Sequence, residues 1–428
     1  MSNTIDWAKQ HIVKTNNEIQ SLSNPPEVKD WREKLEPWLS TIFQSDHFSL
    51  LIGSGLTTAL ACLSEIKPQV MNRMNFTGSY SNIIKSNADS SAREMERGTA
   101  NFEDDLRIGL ELLRGYQITG DINYKDLKIE IDKKLDEFIK QVLKTEMEFK
   151  EKLISTIEKD QELAITSFNY LNSFLLSFSS RAASRERLNL FTTNYDRFIE
   201  YGCDEIGVLL IDRFKGKIEP IFRNTKLELD YHYNPPGIRG EPRYVEGVVR
   251  VIKLHGSIDW QFQKHGKIIR SLLPFGASSN HPGIPKNSTE QAVIYPNSAK
   301  DIETAYYPYS ELFRDFSSAI CKPNSSIVTY GYSFGDSHIN RIISDMFTIP
   351  STHLVIIAHS DTGNRIQKFL RDKNEAQYTL LIGNHFGDLK ILVDNYLPKS
   401  AIDRLTVKMI DLLNKRASTS ATTKGGTP

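Results

Sequence analysis

HFSLLIGSGLTT, residues 47–58, joins a strand to a glycine turn and a helix. His47–Ile52 is a short apolar run of the kind that a parallel strand buried on both faces requires. It passes directly into Gly53-Ser54-Gly55 and then into a helical stretch. That order sets backbone amides at a helix N-terminus, where a pyrophosphate can approach them. Gly53, Ser54, Gly55 and Thr57 are therefore candidate cofactor-binding residues. The third glycine of the dinucleotide fingerprint is missing, so a plain tight turn accounts for the pair equally well.

On the N-terminal side, residues 4–45 carry two helical patterns separated by the breaker Asn24-Pro25-Pro26. Beyond the glycine turn, residues 101–186 read as helix, with Ile131, Leu135, Phe138, Ile139 and Val142 spaced to keep one face apolar. Asn101, followed by Glu103, Asp104 and Asp105, forms a capped entrance with acids near a helix N-terminus. Strand patterns resume at residue 187, in 188–192, 207–212, 248–254, 292–295, 326–330, 353–358 and 378–382. Several are followed by helical stretches. The pattern predicts an α/β fold: a Rossmann-like, doubly wound, mainly parallel sheet with an inserted all-helical module. The predicted division is N-terminal helices over 1–45, the sheet domain over 46–100 and 187–398, the helical insertion over 101–186, and a C-terminal helix with a disordered tail over 399–428. Within the sheet domain, 262–300 is rich in Gly, Pro, Ser and Asn and reads as a long loop or small subdomain.

Composition narrows the classes of function. The chain has 428 residues, of which 39% are hydrophobic and 25% charged, as in a soluble globular protein. Lys plus Arg equals Asp plus Glu, 53 against 53, so no global field draws the molecule onto nucleic acid or an anionic membrane. No direct nucleic-acid or membrane partner is expected. No stretch approaches the ~20 apolar residues of a membrane helix, and MSNTIDWAKQ lacks the basic start and apolar core of a leader, so a cytoplasmic location is expected. Cys62, Cys203 and Cys321 lie far apart and form neither a disulfide framework nor a Cys-x-x-Cys zinc site.

Three further motifs stand at the ends of apolar runs. In Thr192-Thr193-Asn194-Tyr195-Asp196, side chains at the carboxyl edge of a parallel sheet point into the ligand crevice. Capping of the following helix by Thr193 or Asn194 is the structural alternative. In Lys253-Leu254-His255-Gly256-Ser257, an imidazole that exchanges a proton near neutral pH follows the strand VVRVIKL. In Gly331-Tyr332-Ser333-Phe334-Gly335-Asp336, small polar residues suit ribose or phosphate oxygens, with Asp336 as the helix cap. His338, His359 and His385 lack so sharp a context.

Taken in order, IGSGLTT, TTNYD, KLHGS and GYS make the chain resemble the sirtuins over residues 46–395, and most closely the sirtuin-like proteins of bacterial antiphage defence, in which TTNYD, LHGS and GYSFGD occur in this longer form. The resemblance implies an NAD hydrolase that releases nicotinamide and ADP-ribose and depletes NAD. NAD is then the substrate, and no metal is expected, because the leaving group already carries positive charge. By the same resemblance Asn194 orients ribose and water, His255 acts as base or ribose-hydroxyl partner, and Asp196 shapes the nicotinamide pocket. Gly331 and Ser333, with His359 and Ser360, border the adenosine, and Thr57 and Thr193 complete the NAD-binding set. A homo-oligomer is expected, with a HerA-type ATPase as partner in some relatives. The chain departs from deacylating sirtuins in lacking their four-cysteine zinc module and their Gly-Ile-Pro-Asp-Phe-Arg loop. Deacylation of a protein substrate, or NAD binding without catalysis, are the alternative implications.

Overall fold

The computed structural model describes residues 5–15, 18–68, 71–94, 98–181, 185–224, 230–233, 243–285, 288–294 and 307–398. The chain opens with strands β1 (His11–Lys14) and β2 (Ile19–Leu22), helix α1 (Val28–Phe43) and strand β3 (His47–Ile52). Five helices follow: α2 (Gly55–Leu63), α3 (Ser81–Glu94), α4 (Phe102–Thr119), α5 (Tyr124–Leu153) and α6 (Glu158–Ser179). Then come β4 (Asn189–Thr192), α7 (Phe198–Glu205), β5 (Leu209–Ile211), β6 (Phe214–Lys215), β7 (Ile221–Phe222), β8 (His232–Tyr233), β9 (Arg243–Tyr244), β10 (Val248–Lys253) and β11 (Gly256–Phe262). After β12 (Ile268–Arg270), α8 (Ser288–Gln291), β13 (Ala292–Ile294) and α9 (Tyr309–Ile320), the chain alternates β14 (Ser325–Tyr330), α10 (Ser337–Met346), β15 (His353–Ala358), α11 (Arg365–Leu370) and β16 (Tyr378–Ile382). It closes with α12 (Asn384–Gly387) and α13 (Leu389–Asn395).

The main sheet has nine strands in the order β2-β1-β16-β15-β14-β3-β4-β10-β5. From β16 to β5 every pairing is parallel. The strand order reverses between β3 and β14, and such a switch point opens a crevice outside the carboxyl ends of the strands. Alternation along β3 sends Phe48, Leu50 and Ile52 into a core shared with α1, α2, α6, α7 and α13. Leu51 faces a second core, built with α9, α10 and α11. Both faces are covered, as the continuous apolar run required. The Rossmann-like, doubly wound α/β class is therefore what the chain adopts.

Three sequence expectations need correction. The first half of the expected N-terminal helices is the β1–β2 hairpin. It adds antiparallel to the outer edge of β16, with Ile12 opposite Ile382, and satisfies that strand's open row of backbone groups. Residues 292–294 leave the parallel sheet for a second, five-stranded sheet of order β13-β11-β12-β7-β6, so 262–294 is a small subdomain and not a bare loop. The helical insertion has different limits from 101–186. It starts at α3, whose Ala88 and Ala92 pack beneath Ala100 and Ile108, whereas α6 belongs to the sheet, since Phe168, Leu171, Phe174 and Phe178 share the core of Phe48 and Tyr330. The apolar face of α6 is what a sheet cover needs as much as what a bundle needs, so periodicity does not separate the two. The expected helix and tail over 399–428 lie outside the described residues.

Gly256 opens β11 opposite Ile294 with φ +87°, and a Cβ there would stand 2.0 Å from the carbonyl oxygen of Val293. A side chain is thus excluded twice, by backbone conformation and by the adjoining strand. Gly256→Ala should cost ~1–3 kcal/mol, seen as a lower urea midpoint at unchanged slope. A parental midpoint would refute this packing of β11 against β13 at the histidine turn.

Candidate functional site

Parallel pairing sets the ends of four strands flush, with Tyr330 opposite Ile52, Ile52 opposite Thr192, and Thr192 opposite Lys253. The next residues of each strand, beginning at Gly331, Gly53, Thr193 and Leu254, leave the sheet at one level. The four motifs are brought together there. A cavity of about 290 Å³ is lined by Gly53, Ser54, Thr57, Thr193, Asn194, Asp196, His255, Gly331 and Ser333. A second, of about 520 Å³, adjoins it across Ser54, Gly331, Tyr332 and Ser333 and is lined by Gly55, His359 and Ser360. Their combined extent falls in the ~300–1,000 Å³ typical of small-molecule sites.

The glycine turn works differently from the expected amide cradle. Gly53 N–H donates to Tyr330 O at 3.0 Å and Gly55 N–H to Gly331 O at 3.1 Å, so neither amide is left for a phosphate. A Cβ on Gly53 would lie 2.4 Å from Gly331 O, which means the glycines allow two turns to touch. Ser54 remains at the junction of the two cavities.

Around Asn194 the hydrogen bonds have a forced direction. Thr57 Oγ1 donates to Asp196 Oδ2 at 2.6 Å, so its oxygen can only accept from Asn194 Nδ2, at 3.1 Å. The amide face of Asn194 is thereby committed, and Asn194 Oδ1 is left buried without a partner among the described residues. A buried acceptor costs ~1–3 kcal/mol unless something bonds to it. Neither Thr193 nor Asn194 caps α7; Asp196 Oδ1 instead accepts from Phe198 N at 3.3 Å. Behind the turn, Arg197 and Glu146 of α5 form a buried ion pair at 2.5 Å, with Arg197 N–H also donating to Glu146 at 2.8 Å.

His255 is held between two carboxylates. Its Nε2 lies 2.8 Å from Asp336 Oδ2 and its Nδ1 lies 3.2 Å from Glu103 Oε1, which also accepts from Tyr195 Oη at 2.8 Å. Asp336 keeps the capping role expected for it, since Oδ1 accepts from His338 N and Ile339 N. Glu103 reaches the site because Asn101 and Asp104 form a capping box that fixes the first turn of α4. Burial alone would push the imidazole down, but Glu103 and Asp336 outweigh it and raise its pKa from 6.5 to about 10. Burial pushes the Asp336 carboxyl up, and the His255 contact overrides this, holding it below its ordinary 3.8.

Sequence reasoning missed Glu103 and Arg365. The first was read as a helix-terminus acid only; the second stands at the start of α11, six residues past His359, and lines the cavity near Ser333 and Gly335. His338 is exposed beside Phe313, and His385 is buried against Tyr396 Oη at 2.6 Å, away from both cavities. Among the described residues no group of three or more His, Cys, Asp or Glu is placed to hold a metal ion, and no helix is long and apolar enough to cross a membrane.

Fold and crevice together define a protein of the doubly wound α/β class with its candidate ligand site at the switch point of the sheet. Residues 188–378 match the SIR2-like domain family, which supports a sirtuin-like assignment and NAD-related activity. The match covers Asn194, His255 and the Gly331–Asp336 turn but neither the Gly53 turn nor Glu103. No curated protein matches the chain.

The charge state has a checkable consequence. Because the folded pKa of His255 lies above 6.5, its pairing stabilises the protein fully below about pH 6.5 and ceases to do so as pH rises through about 10. For Asp336, with a depressed value, stabilisation is present above 3.8 and lost as pH falls through the lower folded value. In ligand-free protein the His255 ring resonances, assigned by comparison with His255→Ala, should stay those of an imidazolium from about pH 5 to 8. A midpoint near the ordinary histidine value would contradict the clamp.

Proposed function

We propose that the chain is an NAD hydrolase that cleaves the nicotinamide–ribose bond, giving nicotinamide and ADP-ribose from NAD and one water. The observation that carries this reading is Asn194 Oδ1, a buried acceptor lining the cavity, unpartnered among the described residues and aligned by the Thr57–Asp196 relay. An acceptor so placed takes a hydrogen bond from a ribose hydroxyl or from water and orients it. His255 stands across the same cavity as the group that handles the ribose hydroxyl. The bond breaks through an oxocarbenium-like state, for which nearby carboxylates such as Asp196 are favourable neighbours. His359 and Ser360, in the adjoining cavity, border the adenosine, while the Gly53–Gly55 turn acts through Ser54.

Depletion of NAD in antiphage defence, as a homo-oligomer with a HerA-type ATPase as partner, is the setting we assign; the resemblance of IGSGLTT, TTNYD, KLHGS and GYSFGD supports it. Purified protein, with and without such a partner, should release nicotinamide and free ADP-ribose from NAD, separated by chromatography and identified by mass. Asn194→Ala should lower turnover by ~10²-fold or more at unchanged melting temperature. Acyl-ADP-ribose formed only with an acylated peptide would replace the hydrolase reading by a deacylase. NAD binding with no product under either condition would leave a binding subunit.

A further inference from the structure

Glu103 belongs to the helical insertion, yet its carboxylate meets the imidazole that the β10–β11 turn supplies. The two acids that grip His255 are anchored unequally. Asp336 is nailed in place, because its second oxygen accepts two amides at the start of α10 and withdrawal would uncap that helix. Glu103 is retained at the site by Tyr195 Oη, a neutral donor, on a longer side chain, while the two acids are similarly exposed, 17% for Glu103 and 14% for Asp336. Other groups facing the same cavity are Asp196, Tyr332 and Arg365.

We propose, resting on the hydrolase reading, that Glu103 is a positioning residue: it holds the Nδ1 side of His255 while Asp336 holds the Nε2 side, and its withdrawal frees the imidazole for the ribose. The elevated pKa of about 10 is the electrostatic face of that grip. While both carboxylates are engaged, the ring is a donor on both sides and accepts no proton from a sugar hydroxyl. The helical insertion therefore completes the site, and a displacement of α4 acts directly on its proton chemistry.

Glu103→Gln preserves shape and the Tyr195 contact while removing the charge, Glu103→Ala removes both, and Glu111→Gln, exposed two turns further along α4, is the control. In ligand-free protein the His255 ring midpoint should fall by roughly one to three units in Glu103→Gln and Glu103→Ala and stay in place in Glu111→Gln. The acid limb of kcat/KM for NAD should move to lower pH by a similar amount, with KM changed less than kcat. A parental midpoint in both Glu103 variants overturns the proposal, as does a shifted midpoint with an unmoved acid limb. If the parent protein cleaves no NAD, the hydrolase reading fails and the release step fails with it, whereas the ring titration still tells whether Glu103 grips His255.

Discussion

Two backbone turns in contact, Gly53–Gly55 and Gly331, set the floor on which the rest of the crevice stands. Gly55 N–H donates to Gly331 O, and a Cβ on Gly331 would approach Gly55 Cα to 2.6 Å. The contact is possible only because β3 and β14 pair in parallel with Ile52 opposite Tyr330, so that both chains leave the sheet together. It occurs at the switch point, where one strand's successor turns to one side and its neighbour's to the other. The same register, carried through Thr192 and Lys253, decides which side chains can meet: Asn194 and His255 are sixty-one positions apart in the chain and share one cavity.

The helical insertion is tied to that crevice by charge at two points. Glu146 of α5, fully buried, receives Arg197 from the turn that carries Asn194 and Asp196, and Arg197 also donates to Pro274 O of the second subdomain. Breaking one partner of such a buried pair costs far more than the pair contributes, because the other charge is left in a medium that cannot solvate it. The motif turn is thus clamped from behind by α5 and met from in front by Glu103 of α4. An insertion that merely decorated the surface would need neither contact.

Most of the parallel sheet was legible in the chain, because a strand buried on both faces is a mainly apolar run, and 188–192, 248–254, 326–330, 353–358 and 378–382 are mainly apolar, Arg250 and Lys253 being the charged exceptions in 248–254. The site motifs were legible for the related reason that they follow those runs. What escaped was non-local. The hairpin strand HIVK is four residues long, too short for a period to declare itself, and is stabilised by the edge of a strand some 370 positions away. Glu103 looks like any acid in a first helical turn, and only the packing of α4 brings it to His255. For Gly53 and Gly55 the sequence left phosphate binding and a tight turn open, because a glycine pair serves close backbone approach as readily as phosphate binding, and only the partner turn shows the close approach.

The charges around the first cavity are mostly acidic. Glu103, Asp196 and Asp336 line it with His255 and Asn194, and Arg365 lines it near Ser333 and Gly335. A dinucleotide with a positive nicotinamide ring would meet carboxylates there that suit the ring's charge and one guanidinium that suits a phosphate. In the cleavage proposed above, positive charge would pass from the ring to the sugar beside these carboxylates. Asp196 and Asp336, fixed by the Thr57 hydroxyl and by the first amides of α10, need not reorganise during such a step, which is the condition under which electrostatic stabilisation is most effective.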